Sequence, residues 1–152
     1  MTTSITTGTI SDVEAMRRID IAEARLLKLG AKRATSPGGT IDACPVKHHF
    51  TPGLYCREIF MPRGMIVVSK IHRLRHPFVI SAGECLVYLG GETWQHLKAP
   101  HFGITEPGTR RLLFIIQDTV WTTFHVTDKT DVDEIATDIL IEYENPLLKE
   151  VA

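Results

Sequence analysis

The apolar positions change period along the chain. From Ser11 to Gly30 they recur at three- and four-residue steps, with Val13, Met16, Ile19, Ala22, Leu26 and Leu29 on one stripe, which predicts an amphipathic helix. Ser11 and Glu14 form the S-x-x-E pattern of a capping box, and Gly30 stands where a helix-terminating glycine stands. Residues 1–10 are rich in Thr and Ser and lack any period, so they read as a flexible tail. The SPGGT segment at 36–40 then breaks the chain, which leaves the helix free to pack on the downstream barrel or to reach a neighbouring subunit.

Between Leu54 and Val126 the period becomes that of strands. Seven short runs predict strands at 54–60, 64–71, 76–81, 84–89, 92–98, 110–117 and 119–126. Turn chemistry separates them at Pro62-Arg63-Gly64, at Gly90-Gly91 as a two-residue hairpin link, at Pro107-Gly108 and at Gln117-Asp118. No helix-length pattern lies between these runs, so parallel crossovers are excluded and an antiparallel sandwich or barrel remains. Phe78, Tyr88, Trp94, Phe114, Trp121 and Phe124 are bulky enough to fill a small barrel, and if all point inward no pocket is left. After the strands, TDVDEIATDILIEY at 130–143 predicts a C-terminal helix capped at Thr130, with Val132, Ile135, Ile139 and Tyr143 on one face.

A length of 152 residues with 43% hydrophobic content suits one domain with its own core. Its expected organisation is a tail and helical arm at 1–40, a barrel at 41–128, and a helix and tail at 129–152. The formal charge of −1, with no Lys/Arg block longer than a pair, gives no surface for tracking phosphates, so nucleic acid is not an expected partner. No apolar run approaches the roughly 20 residues of a membrane helix, and the polar N-terminus has no h-region, so neither a membrane nor a secretion signal is expected. Cys44, Cys56 and Cys85 are odd in number and lack C-x-x-C spacing, which reads as reduced, core-filling thiols.

Candidate chemistry concentrates in G-M-I-V-V-S-K-I-H-R-L-R-H-P-F-V-I-S-A-G, from Gly64 to Gly83. His72 and His76 share parity along it, and His125 lies on a later run whose inward face would include Trp121 and Thr123. These three are the candidate ligands for a divalent transition metal; the alternative is that His72 and His76 are surface residues of a bend and His125 a hydrogen-bonded barrel histidine. His48, His49 and Glu58 lie nearby, with His48 and His49 pointing opposite ways if extended. His96, alternating with Trp94, reads as a cross-strand surface residue. There is no G-x-S-x-G elbow, phosphate-cradling glycine loop or H-E-x-x-H.

The Gly64–Gly83 segment resembles the first cupin motif, G-x5-H-x-H-x3,4-E-x6-G. Anchored on Gly83, it places His76 at the usual Glu, His72 at the second His and Lys70 at the first. E-P-G-T-R-R resembles the second motif, with Gly108 on its glycine and Arg111 in place of its histidine. Cations at Lys70 and Arg111 repel a divalent ion, so the usual four-ligand set is broken and His72, His76 and His125 are the rearranged set. Over Cys44–Asp128 the strings KIH, EPGT and DTVWTT also resemble small single-domain cupin-like proteins of tailed phages and prophages. The resemblance implies an all-β, cupin-type double-stranded β-helix (jelly-roll barrel) with an N-terminal helical arm and a short C-terminal helix. It further implies a non-enzymatic virion or assembly protein, found in the virion or host cytoplasm, forming a homo-oligomer or binding other virion proteins, with the arm docking on a neighbour. A metal-dependent cupin enzyme, or a sugar-binding or epimerase-like protein using the barrel histidines, is the alternative.

Overall fold

The computed structural model of the protein describes residues 10–31 and 44–148. The N-terminal tail, the SPGGT break and the Ser11 side chain expected to cap the first helix lie outside the described residues. The elements are α1 (Ile10–Lys28), β1 (Val46–Thr51), β2 (Leu54–Met61), β3 (Ile66–Val68), β4 (Ile71–His72), β5 (His76–Tyr88), β6 (Trp94–Lys98), β7 (His101–Thr105), β8 (Leu112–Val126), α2 (Val132–Ile139) and β9 (Leu140–Ile141).

Two long bent strands, β5 and β8, build the barrel. The first part of β5, His76–Ile80, pairs with β7 and with the last part of β8; the second part, Glu84–Tyr88, pairs with β6 and with the first part of β8. β2 and β1 extend the sheet at the late end of β8, and β3 pairs with its early end. Two antiparallel layers therefore share β5 and β8 and close over one core, a cupin-type double-stranded β-helix.

The runs expected at 76–81 and 84–89 are one strand, as are those at 110–117 and 119–126. Bulges replace the expected breaks: the β5–β8 register shifts between Ile80 and Cys85. Inward residues accordingly change parity, from His76, Phe78 and Ile80 to Cys85 and Val87. Gly83 sits in this bulge at φ +97°, and a Cβ there would lie 2.3 Å from the Asp118 carbonyl oxygen. Only glycine meets both conditions. The Gly90-Gly91 link is longer than two residues, since β5 ends at Tyr88 and β6 begins at Trp94. β1, β7 and β9 add strands beyond the expected seven.

Of the six aromatics able to fill the barrel, Phe78 and Trp121 belong to the main core cluster, stacked at 4.4 Å. Tyr88 and Trp94 stack on each other away from that core, and Phe114 is 39% exposed. Gly103 makes room for the Phe78 ring, whose nearest atom would be 2.4 Å from a Cβ. The three cysteines are free, with Cys44 and Cys85 buried.

The helical arm lies on the barrel. Ile19 is 1% exposed against Ile66 and Leu112, while Val13 and Leu29, assigned to the same stripe, are 65% and 83% exposed. Asp20 and Glu23 are buried instead, because Arg110 reaches them: its Nη1 lies 2.6 Å from Asp20 Oδ1 and its Nη2 3.6 Å from Glu23 Oε1. Asn145 Nδ2 donates to Glu23 Oε1 at 3.0 Å and so ties in the C-terminal segment. Gly30 ends the helix as expected, with Ala31 N–H donating to the Leu26 carbonyl at 3.0 Å. α2 is shorter than expected. Asp131 caps it by accepting from the N–H groups of Asp133 and Glu134, and after Ile139 the chain turns into β9 to pair with β4. Tyr143 therefore lies beyond the helix, its hydroxyl donating to Asp20 Oδ2 at 2.5 Å.

Candidate functional site

The inward face of β2 reads Tyr55, Arg57, Ile59, Met61; that of late β8 reads Trp121, Thr123, His125. Across the β2–β8 ladder Tyr55 pairs with His125 and Arg57 with Thr123. His76 begins β5 on the same interior, and His72 is held by the β4–β9 pair, opposite Leu140. Arg111 starts the inward face that His125 ends. Fourteen residues of straight strand would separate them by about 46 Å, yet both line one cavity, so the bend in β8 brings them together.

That cavity has a volume of about 160 Å³. Apolar side chains including Ile59, Val67 and Leu113 make its wall, and α2 covers it through Val132, Ile135 and Ile139. Ile135 and Ile139 also pack with Tyr55, and Arg73 fastens the cover: its N–H donates to the Ile139 carbonyl at 2.7 Å and its Nε to that of Leu140 at 2.8 Å.

The structure brings His72, His76 and His125 together. Their ring centroids are 4.3, 4.6 and 5.3 Å apart, and one nitrogen from each lies within 4.8 Å of the others. Burial, then the neighbouring histidines and the arginines, hold His72 at about 2; burial, then His76 and Arg57, hold His125 at about 3. His76 is lowered too, chiefly by burial. All three are therefore neutral near pH 7, the form that donates a lone pair to a metal. A carbonyl only accepts, so His76 Nδ1 carries its proton toward the Leu74 oxygen at 3.0 Å, leaving Nε2 as the donor atom. His125 Nε2 lies 2.9 Å from Thr123 Oγ1.

Imidazole nitrogens binding one ion at about 2.1 Å sit roughly 3 to 3.5 Å from each other, so small side-chain movements would close the trio on a metal. The donors are chemically suited to a borderline divalent transition metal. Among the described residues, His72, His76 and His125 form the one such group.

The other histidines lie elsewhere. His48 Nδ1 contacts the Tyr55 hydroxyl at 2.6 Å, His49 faces Glu58 at 3.6 Å, and exposed His96 pairs with Glu84 at 2.5 Å. Lys70, at a motif-ligand position, is exposed at the cavity rim, whereas Arg111 points inward. The Arg111 Nη1 donates to Thr105 Oγ1 at 3.0 Å, and the guanidinium lies 5.1 Å from the Phe78 ring centre and 5.8 Å from that of Trp121. Burial brings Arg111 down to about 10 and lowers Arg57 as well; Arg111 is still charged at neutral pH. Arg57 is the site residue that sequence reasoning missed. Its signal was present: in LYCREIFM it shares parity with Tyr55, Ile59 and Met61, a cation on an otherwise uncharged face.

Fold and site together define a cupin-type barrel with a histidine-lined interior cavity. No family model matches the chain, and no curated protein matches it. Among solved structures it is similar to the cupin domain of an XRE family transcriptional regulator from Enterobacter cloacae, at 17% identity over 58% of this chain and 100% of that one, with a TM-score of 0.47. It is similar to an RmlC-like cupin family protein from Methanocaldococcus jannaschii, at 15% identity over 58% of this chain and 84% of that one, TM-score 0.47. It is also similar to an acetylacetone dioxygenase from Acinetobacter johnsonii, at 16% identity over 55% of this chain and 59% of that one, TM-score 0.45. The double-stranded β-helix follows from the strand pairings.

Proposed function

We propose that the protein is a metal-dependent, small-molecule-binding cupin in which His72, His76 and His125 hold a divalent transition metal. The observation that carries this reading is the convergence of three neutral imidazoles in a covered cavity whose wall is largely apolar. Three protein ligands leave coordination positions open, as at catalytic rather than purely structural metal sites. When bound, such an ion supplies Lewis-acid or redox chemistry to a molecule in the cavity. The chain's own residues do the rest: His76 is oriented by the Leu74 carbonyl, α2 excludes water, and the apolar wall receives the body of the ligand.

Metal content measured by plasma mass spectrometry, on protein purified without chelator or tag, tests this. Near-stoichiometric metal is expected, and loss of it in the His72→Ala/His76→Ala double variant. Metal-free wild-type protein that also fails to take up added metal would overturn the reading.

A virion or assembly role is the second reading, with a second copy or another virion protein as partner. Exposed Phe102 and Leu74, at 65% and 60%, favour it because the rest of the described chain leaves them open to solvent. Within the arm, α1 itself packs on the barrel through Ile19 and the Asp20–Arg110 pair. An oligomer in light scattering that breaks up on Phe102→Ser would support assembly. No helix of the described residues is long and apolar enough to cross a membrane.

A further inference from the structure

Arg110 and Arg111 are adjacent in sequence and opposite in setting. Arg110 points outward under α1, where Asp20 and Glu23 neutralise it. Arg111 points into the cavity, where its guanidinium donates to the Thr105 hydroxyl, a partner that brings no charge. Arg57 enters the same cavity from β2, opposite Thr123 of β8. No Asp or Glu lines the cavity among the described residues. The interior therefore holds two guanidinium charges and no carboxylate to balance them, and a divalent ion on the histidines would add to the excess.

An unbalanced charge in a poorly solvated interior costs free energy, and such groups persist where a ligand supplies the missing charge. We propose that the cavity binds a small carboxylic acid as its carboxylate, with Arg57 and Arg111 as the groups that select it. A guanidinium fork matches the two oxygens of a carboxylate, and Arg111 is already steadied over Phe78 and Trp121 with donors to spare. The apolar wall of Ile59, Val67 and Leu113 takes the carbon skeleton, and the limited volume admits only a short one. The ligand then reaches from the arginines toward the histidine trio. This inference rests on the cavity being a ligand site, but the arginine part does not need the metal.

The test is calorimetric titration of the full chain, both metal-stripped and zinc-loaded, with pyruvate, succinate and benzoate, each beside its neutral amide, and with inorganic phosphate. At least one carboxylate should saturate the protein while its amide binds about tenfold or more weakly, and Arg57→Met or Arg111→Met should each remove about tenfold or more of the affinity. Both Met variants should melt at or above the wild-type temperature without ligand, since they delete an unbalanced charge. Arg57→Lys, which keeps the charge and loses the fork, should bind at an intermediate strength. The metal-stripped wild type should retain carboxylate binding, which separates failure of the metal reading from failure of this one. Equal binding of acids and amides, binding of phosphate alone, or Met variants that melt well below wild type would each overturn the proposal.

Discussion

A histidine that is neutral in the folded protein and titrates freely when unfolded makes stability depend on pH, and three such histidines sit in one cavity. His72, lowered to about 2, faces His76, His125, Arg57 and Arg111, and none of these favours its charged form. The unfolded chain takes up a proton at each histidine as the pH falls through about 6.5, whereas in the folded chain His72 resists until about 2 and His125 until about 3, with His76 lowered in the same direction. Their contribution is thus intact above pH 6.5 and is lost progressively below it. With chelator present, the stability from urea unfolding should fall between pH 6.5 and 5 with a slope approaching about 1.4 kcal/mol per pH unit for each of His72 and His125, to which His76 adds in the same direction. His72→Phe should flatten that slope. A wild-type profile that is level across this range would mean that the histidines are solvated.

At the scale of elements, α1 owes its position to Ile19 and to the buried Arg110 cluster. Arg110→Ala leaves Asp20 and Glu23 buried beside each other without their cation, and breaking a buried pair in this way costs about 3–5 kcal/mol. A matching drop in the denaturation midpoint is expected, with earlier amide exchange in α1 than in β5 and β8; a change below about 1 kcal/mol would show that the helix is held by its apolar face alone. The helix was legible in the sequence because its period is strong, but its orientation was not, since Asp20 follows a partner ninety positions away in Arg110, which Glu23 also faces. The strands were legible for the same reason as the helix. Their merger into two long ones was not, because a bulge at Gly83 and a loop start carry the same glycine signal. His72 and His76 could be assigned from parity and motif, whereas Arg57 becomes meaningful only once the β2–β8 register places it beside Thr123.

For the whole molecule, the organising feature is how charge is divided between the outside and the interior. Arg110, Arg75 and Lys129 each face a carboxylate at 2.8 Å or less, while the cavity keeps its two arginines unbalanced and its three histidines neutral. β5 and β8 bend through both sheets and so deliver residues distant in sequence to one end of the barrel, which α2 and β9 then cover. Cobalt(II) titration followed by visible absorption tests the central claim, a metal held by His72, His76 and His125, most directly, because the bands report the ligand set. Wild type should develop d–d bands that saturate at one equivalent, and His125→Ala, the change outside the motif region, should abolish or shift them with an unchanged far-ultraviolet circular dichroism spectrum. Absence of saturable bands, or bands identical in His125→Ala and wild type, would contradict it.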